Sequence, residues 1–156
     1  MEKVKLVDLA QMAEIIAAVG VIITLTYVAL ELSENTAAVR AGTSQAIFDS
    51  SREFVLDVAL SEDLSRIRSV GSLDFEDLSL EEAARFRALV LGNWIYFQNV
   101  WIQWTLGVVD ERVWGTYLRM FCGQLRGPGT VKVWKQQQRA FDQDFVTFVS
   151  ESCPGT

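Results

Sequence analysis

EIIAAVGVIITLTYVALE, residues Glu14 to Glu31, sets sixteen uncharged residues between two glutamates near the start of the chain. Its reading decides what the rest of the protein is: it is a membrane span, a signal peptide or the central helix of a soluble fold. At a rise of about 1.5 Å per residue the run covers about 24 Å, short of a hydrocarbon layer about 30 Å thick. Counting back through Ala13, Met12, Ala10 and Leu9 extends it to about 22 residues broken only by Gln11 and Glu14, long enough to cross with Glu14 at headgroup level. A soluble helix keeps a polar stripe. Ile15 to Leu30 offers only Thr24, Thr26 and Tyr27, and threonine hydroxyls can bond back to helix carbonyls. A signal peptide needs a basic start and a small-residue cleavage site, whereas Asp8 and Glu14 precede this core and ALELSEN follows it. The pattern favours a membrane span built on Ile15, Ile16, Val19, Gly20, Ile22, Ile23, Leu25 and Val28. A helix buried in protein or in an oligomer stays open as the alternative. Ala13, Ala17, Gly20 and Thr24, spaced by three and four, form a small-residue stripe along which two spans can approach.

The whole chain of 156 residues carries a net charge of −6, half its residues are apolar and 22% are charged. One apolar segment attached to a single helical domain produces that balance. The 14 Lys and Arg residues are scattered singly or in pairs, so no basic stripe exists to neutralise phosphates, and nucleic-acid binding is rejected. The chain contains no histidine, which removes the usual general base and the usual zinc ligand. No EXXH, DXDXDG, GXGXXG, GXXXXGK or GXSXG pattern occurs, so no catalytic, cofactor-binding or metal residue is nominated. Cys122 and Cys153 have no CxxC partner and read as two ordinary thiols of a reducing compartment. A bridge between them requires the last helix to fold back beside the preceding one.

Along the chain only Pro128 and Pro154 interrupt, and no sustained strand alternation appears, which predicts an all-α fold. Ile47, Phe48, Phe54, Val55 and Val58 give a helix over about 35–60 one apolar face, either as a continuous or slightly kinked rod with the first helix or as a new helix capped by Ser33, Asn35 or Thr36. Ser61 with Glu62 and Asp63 opens a short helix that Gly71 ends. Ser79 and Glu82 form a capping box opening a long helix that runs to Gly107. Asp110 opens the next, stopped by Gly127-Pro128-Gly129, and Thr130 caps a last helix with Trp134, Phe141, Phe145 and Phe148 on one line before the polar tail SESCPGT. The domain reading is a membrane anchor over 1–34, a helical bundle over 35–151 and a polar tail over 152–156.

Within NWIYFQNVWIQW, residues 93–104, Val90, Trp94, Phe97, Trp101 and Trp104 fall on an a/d seam. The seam is bundle core in the plainer reading. In the sharper one Trp94, Phe97, Trp101 and Trp104 face a partner helix or a hydrophobic ligand. The interleaved Asn93, Gln98, Asn99 and Gln103 are candidates for bonds across helices that fix register. Glu62 with Asp63, Glu81 with Glu82, and Asp110 with Glu111 sit at helix starts, where capping explains them.

VGVIITLTYVALELSENTAAVRA, LSLEEAARFRAL, FQNVWIQWTLGVVDERVW and GPGTVKVWKQQQRAFDQDFVTFV together resemble a loosely defined family of uncharacterised small bacterial proteins. Its members have one N-terminal membrane helix and a helical domain. The shared features are Leu32-Asn35-Thr36, the Leu106-Gly107 turn, the Asp110 and Trp114 start and the glycine-rich break. The resemblance implies a single-pass protein of the bacterial inner membrane with membrane lipid as its surroundings, and it brings no substrate. The expected role is a structural, accessory or self-assembling subunit, a homo-oligomer or part of a larger membrane complex. The domain is expected in the cytoplasm, and the alternative function is a module binding a lipid or other hydrophobic ligand.

Overall fold

The computed structural model describes the backbone of residues 2–153 and the side chains of residues 11–153. Six α-helices and two short 3-10 turns account for it, with no strand among the described residues. The chain divides into two compact units, Met1–Ala41 and Gly42–Thr156, and the expected anchor boundary at 34/35 falls within the first.

The first helix, α1 (Glu2–Leu60), is assigned without interruption through the positions offered as caps. Thr36 Oγ1 instead donates to the Leu32 carbonyl at 2.8 Å, as a residue inside a helix does. The threonines of the apolar segment are satisfied in the expected way: Thr24 donates to the Gly20 carbonyl at 2.9 Å and Thr26 to that of Ile22 at 2.8 Å. Every residue from Gln11 to Gly42 is exposed on all sides of the helix, with Ile16 at 71% and Ile23 at 63%. The side chains of Lys3, Lys5, Asp8, Leu9 and Ala10 lie outside the described residues.

In the second unit the remainder of α1 is followed by α2 (Glu62–Leu73), α3 (Leu80–Thr105), α4 (Glu111–Gln124), α5 (Pro128–Gln137) and α6 (Gln143–Ser152). Local chemistry places the starts. Ser61 Oγ accepts from Leu64 N, Ser79 and Glu82 complete a reciprocal capping box, and Asp110 accepts from Arg112 N. Several expectations are corrected. Gly71 does not end α2, which continues to Leu73; Gly71 is buried there, with the Phe86 and Leu78 side chains where its Cβ would stand and its carbonyl against Gly129. The last helix is two helices, because Asp142 accepts from Asp144 N at 2.9 Å and Phe145 N at 3.2 Å and starts α6 afresh. Thr130 lies inside α5, where Gly127 is the cap and Pro128 takes the first turn. The α1 face is also narrower than its periodicity suggests: Ile47 and Val58 are buried, while Phe48 and Val55 are exposed. Only Pro154 to Thr156 of the expected tail lie outside the described residues, for α6 runs to Ser152 and Cys153 is buried.

The core is aromatic. Trp94 meets Trp134 edge-on at 5.1 Å, Phe97 meets Phe121 at 4.8 Å, and Trp134 meets Phe141 at 5.4 Å. Such pairs contribute about 1 kcal/mol each beyond the area they bury. Where α2 meets α5 the backbones themselves touch. A Cβ on Gly129 would stand 2.0 Å from the Gly71 carbonyl oxygen, and one on Gly127 would stand 2.5 Å from that of Ser72. On the outside, Arg66 pairs with Glu82 and Arg85 with both Asp63 and Glu81. The Ser79 backbone N–H and then Arg66 hold the Glu82 carboxyl down at about 2.

Two measurements follow from this packing. Gly129→Ala should lower unfolding free energy by about 3 kcal/mol or more. Gly123→Ala, whose new methyl meets nothing within 4 Å, should gain up to about 1 kcal/mol from helix propensity. Because the Glu82 carboxyl is depressed by folding, its contribution is complete above the ordinary carboxylate range near 4.5 and is lost as pH falls toward about 2. Glu82→Gln should therefore show a smaller fall in Tm between neutral pH and pH 3 than the parent, and an identical fall would contradict the assignment.

Candidate functional site

Three hydroxyls and one carbonyl tie α1 to α3 and α4. Ser51 Oγ lies 2.8 Å from the hydroxyls of both Tyr96 and Tyr117, and Tyr96 donates to the Ile47 carbonyl at 2.5 Å. Tyr117 Oη lies 3.3 Å from the same carbonyl. With Tyr96 donating to Ile47, Tyr117 to Ser51 and Ser51 to Tyr96, all three protons find acceptors. Burial pushes the Tyr96 phenol above its ordinary value, against an opposing bond from Ser51. The group thus serves as a neutral hydroxyl.

Beside this network lies a cleft of about 230 Å³. Phe54, Val55, Phe97 and Met120 supply its apolar walls, and Ser50, Ser51, Tyr96, Asn93, Gln124 and Arg68 its polar ones. Asn93 donates to Gln124 Oε1 at 2.6 Å, joining α3 to α4, one of the cross-helix bonds anticipated from the polar residues of α3. Gln98 makes another, accepting from the backbone of Asp142. The Arg68 guanidinium stands 5.6 Å from the centre of the Phe54 ring. It has no carboxylate within 4 Å among the described residues. Arg68 and Gln124 also wall a second hollow of about 210 Å³ with Gly123 and Thr130.

Besides Gly127, two glycines within helices border these spaces. Gly92, inside α3, lines the first and Gly123, inside α4, the second, and a Cβ on either would meet no atom within 4 Å. Glycine in a helix interior costs about 1 kcal/mol relative to alanine. No close packing accounts for that cost at these positions.

The aromatic residues singled out in the sequence fall elsewhere. Trp94 and Phe97 are fully buried, and Trp101 and Trp104 are partly buried against the same core. Trp104 stacks on Trp114 at 5.3 Å and its indole N–H donates to Glu111. The four therefore line the interior of the domain and do not present a common outer face; Phe97 alone touches the cleft. The cleft residues Arg68, Gly92 and Tyr96 carry no local signal, although the presence of glycine in the middle of a strongly apolar helix is a hint of open space.

The cysteines are joined. Cys122 on α4 and Cys153 at the end of α6 form a disulfide with Cα atoms 5.1 Å apart, correcting the reading of two free thiols. The chain does fold back as such a bridge requires, because Phe121 and Phe145 pack at 5.8 Å and draw α6 onto α4. Closing a loop across 31 residues stabilises by about 3–4 kcal/mol in the loop-entropy account. Among the described residues no group of three or more His, Cys, Asp or Glu gathers as a metal site would.

The raised Tyr96 phenol makes its stabilisation complete below the ordinary value near 10 and progressively lost above it. Alkaline titration followed at 295 nm should show a late-ionising tyrosine that disappears in Tyr96→Phe. A parent and variant with the same late component would contradict this. Comparison with family models, curated proteins and solved structures returned no match to this chain.

Proposed function

We propose that the protein is a single-pass membrane protein whose helical domain forms a bundle on the oxidising side of the membrane. There it acts as an accessory or self-assembling subunit and not as a catalyst. The observation that carries this reading is the bare helix: every residue from Gln11 to Gly42 is exposed. A contiguous apolar surface of that extent in water invites aggregation, whereas a lipid bilayer accepts it with all backbone groups bonded internally. The helix passes by length and hydropathy as a candidate span.

The side of the membrane follows from different chemistry. Disulfides persist in oxidising compartments and are reduced in the cytosol, so the Cys122–Cys153 bond argues against the cytoplasmic domain expected from the sequence. Basic residues are evenly divided, Lys3 and Lys5 before the span and Arg40 and Arg52 after it, so the disulfide alone carries the orientation. In a bacterium, as the family resemblance implies, the proposed orientation has the first residues inside and the domain outside the inner membrane.

Carbonate-washed membranes should retain the protein, and only detergent should release it, as a species larger than 17.5 kDa. In cells quenched with N-ethylmaleimide, Cys122 and Cys153 should resist alkylation until a reductant is added. Release as a monomer without detergent would overturn the anchor and assembly. Quantitative alkylation in unreduced cells would overturn the orientation while leaving the anchor standing.

A further inference from the structure

The geometry points to the cleft at Arg68 as a binding site for a small anionic amphiphile: a carboxylate or similar monoanionic head on a short apolar tail. The head would lie against the guanidinium and the Asn93–Gln124 amides, the tail along Phe54, Phe97 and Met120. Three independent observations meet here. Arg68 is half-buried beside an apolar hollow and has no carboxylate within 4 Å among the described residues, although Arg66 on the same helix and Arg85 on α3 are paired. A guanidinium fork matches an anionic head better than any neutral group. The walls combine a large apolar share with few polar groups, the usual make-up of a small-molecule pocket.

The third observation is Gly92. A side chain there would project into unoccupied space at the edge of the cleft, so the missing side chain leaves room instead of permitting a close helix contact. That makes Gly92→Leu a plug that need not disturb the core. The inference does not depend on which side of the membrane the domain occupies, nor on the anchor.

The chain has three methionines, Met1, Met12 and Met120. Met120 lines the cleft, while Met12 lies in the apolar segment and reports ligand partitioned into detergent or lipid. Full-length protein with ¹³C-methyl methionine, in a nonionic detergent near pH 7.5, should show a saturable shift of the Met120 signal with decanoate and a far smaller response of Met12. Decanol, of equal length and uncharged, should require about tenfold higher concentration, and Arg68→Gln should erase that difference. Gly92→Leu, with an unchanged melting curve, should abolish the Met120 shift. In nanodiscs, a Met120 shift on adding phosphatidylglycerol without decanoate would assign the anionic head to a bilayer lipid, whereas a shift requiring decanoate would assign it to a free acid. Equal responses to decanoate and decanol, a shift that survives Gly92→Leu, or Met12 and Met120 moving in parallel would each overturn the proposal.

Discussion

An apolar helix exposed on every side from Gln11 to Gly42 is the constraint on which the rest of the structure depends. The stretch from Met12 to Leu32 satisfies its own backbone, and its threonines return their hydroxyls to carbonyls one turn earlier. Its described side chains are exposed all round. Hydrophobic stabilisation scales with apolar area withdrawn from water, and in the proposed reading lipid supplies that contact. The folded unit has no such debt: Trp94, Phe97, Phe121, Trp134 and Phe145 form a closed aromatic core.

Within the folded unit, order comes from contacts of three kinds. Aromatic packing supplies most of the buried area, backbone approach at Gly71, Gly127 and Gly129 sets how closely α2 and α5 lie, and hydroxyl and amide bonds tie α1 and α4 to α3. The disulfide closes α6 onto α4 at the end of this chain of contacts. Phe121 and Cys122 are consecutive, so the residue that packs on Phe145 also brings the thiol to its partner. Packing and covalent closure therefore support the same arrangement.

Helix starts were readable at three places where a side chain caps its own turn. Ser61, Ser79 with Glu82, and Asp110 act within three residues and need no tertiary context. Asp142 uses the same chemistry, yet it is hidden in the sequence because Trp134, Phe141, Phe145 and Phe148 keep helical spacing across the break. Gly71 misleads for the opposite reason: a glycine near the end of a short helix resembles a terminator, and only the presence of Gly129 shows that it is a contact point. The cysteine pair escaped because a separation of 31 residues carries no geometry until α6 is seen on α4. The cleft is a product of four helices, α1 to α4, so Arg68 reads in the sequence as one scattered charge. Trp94 and Phe97 conform to the plainer core reading of their seam, since an a/d pattern is equally suited to an interior.

The most direct test of the account is the surroundings of the apolar helix in a bilayer. Spin labels placed singly at successive positions from Ile15 to Leu30, with the native disulfide intact, report collision with oxygen, which concentrates in lipid, and with a water-soluble nickel complex. The account predicts high oxygen and low nickel access on most faces of the helix, with the contrast greatest near Ile22 and Ile23. Labels shielded from both reagents on every face would mean a helix buried in protein, and labels open to nickel throughout would mean a helix in water; either result would contradict it.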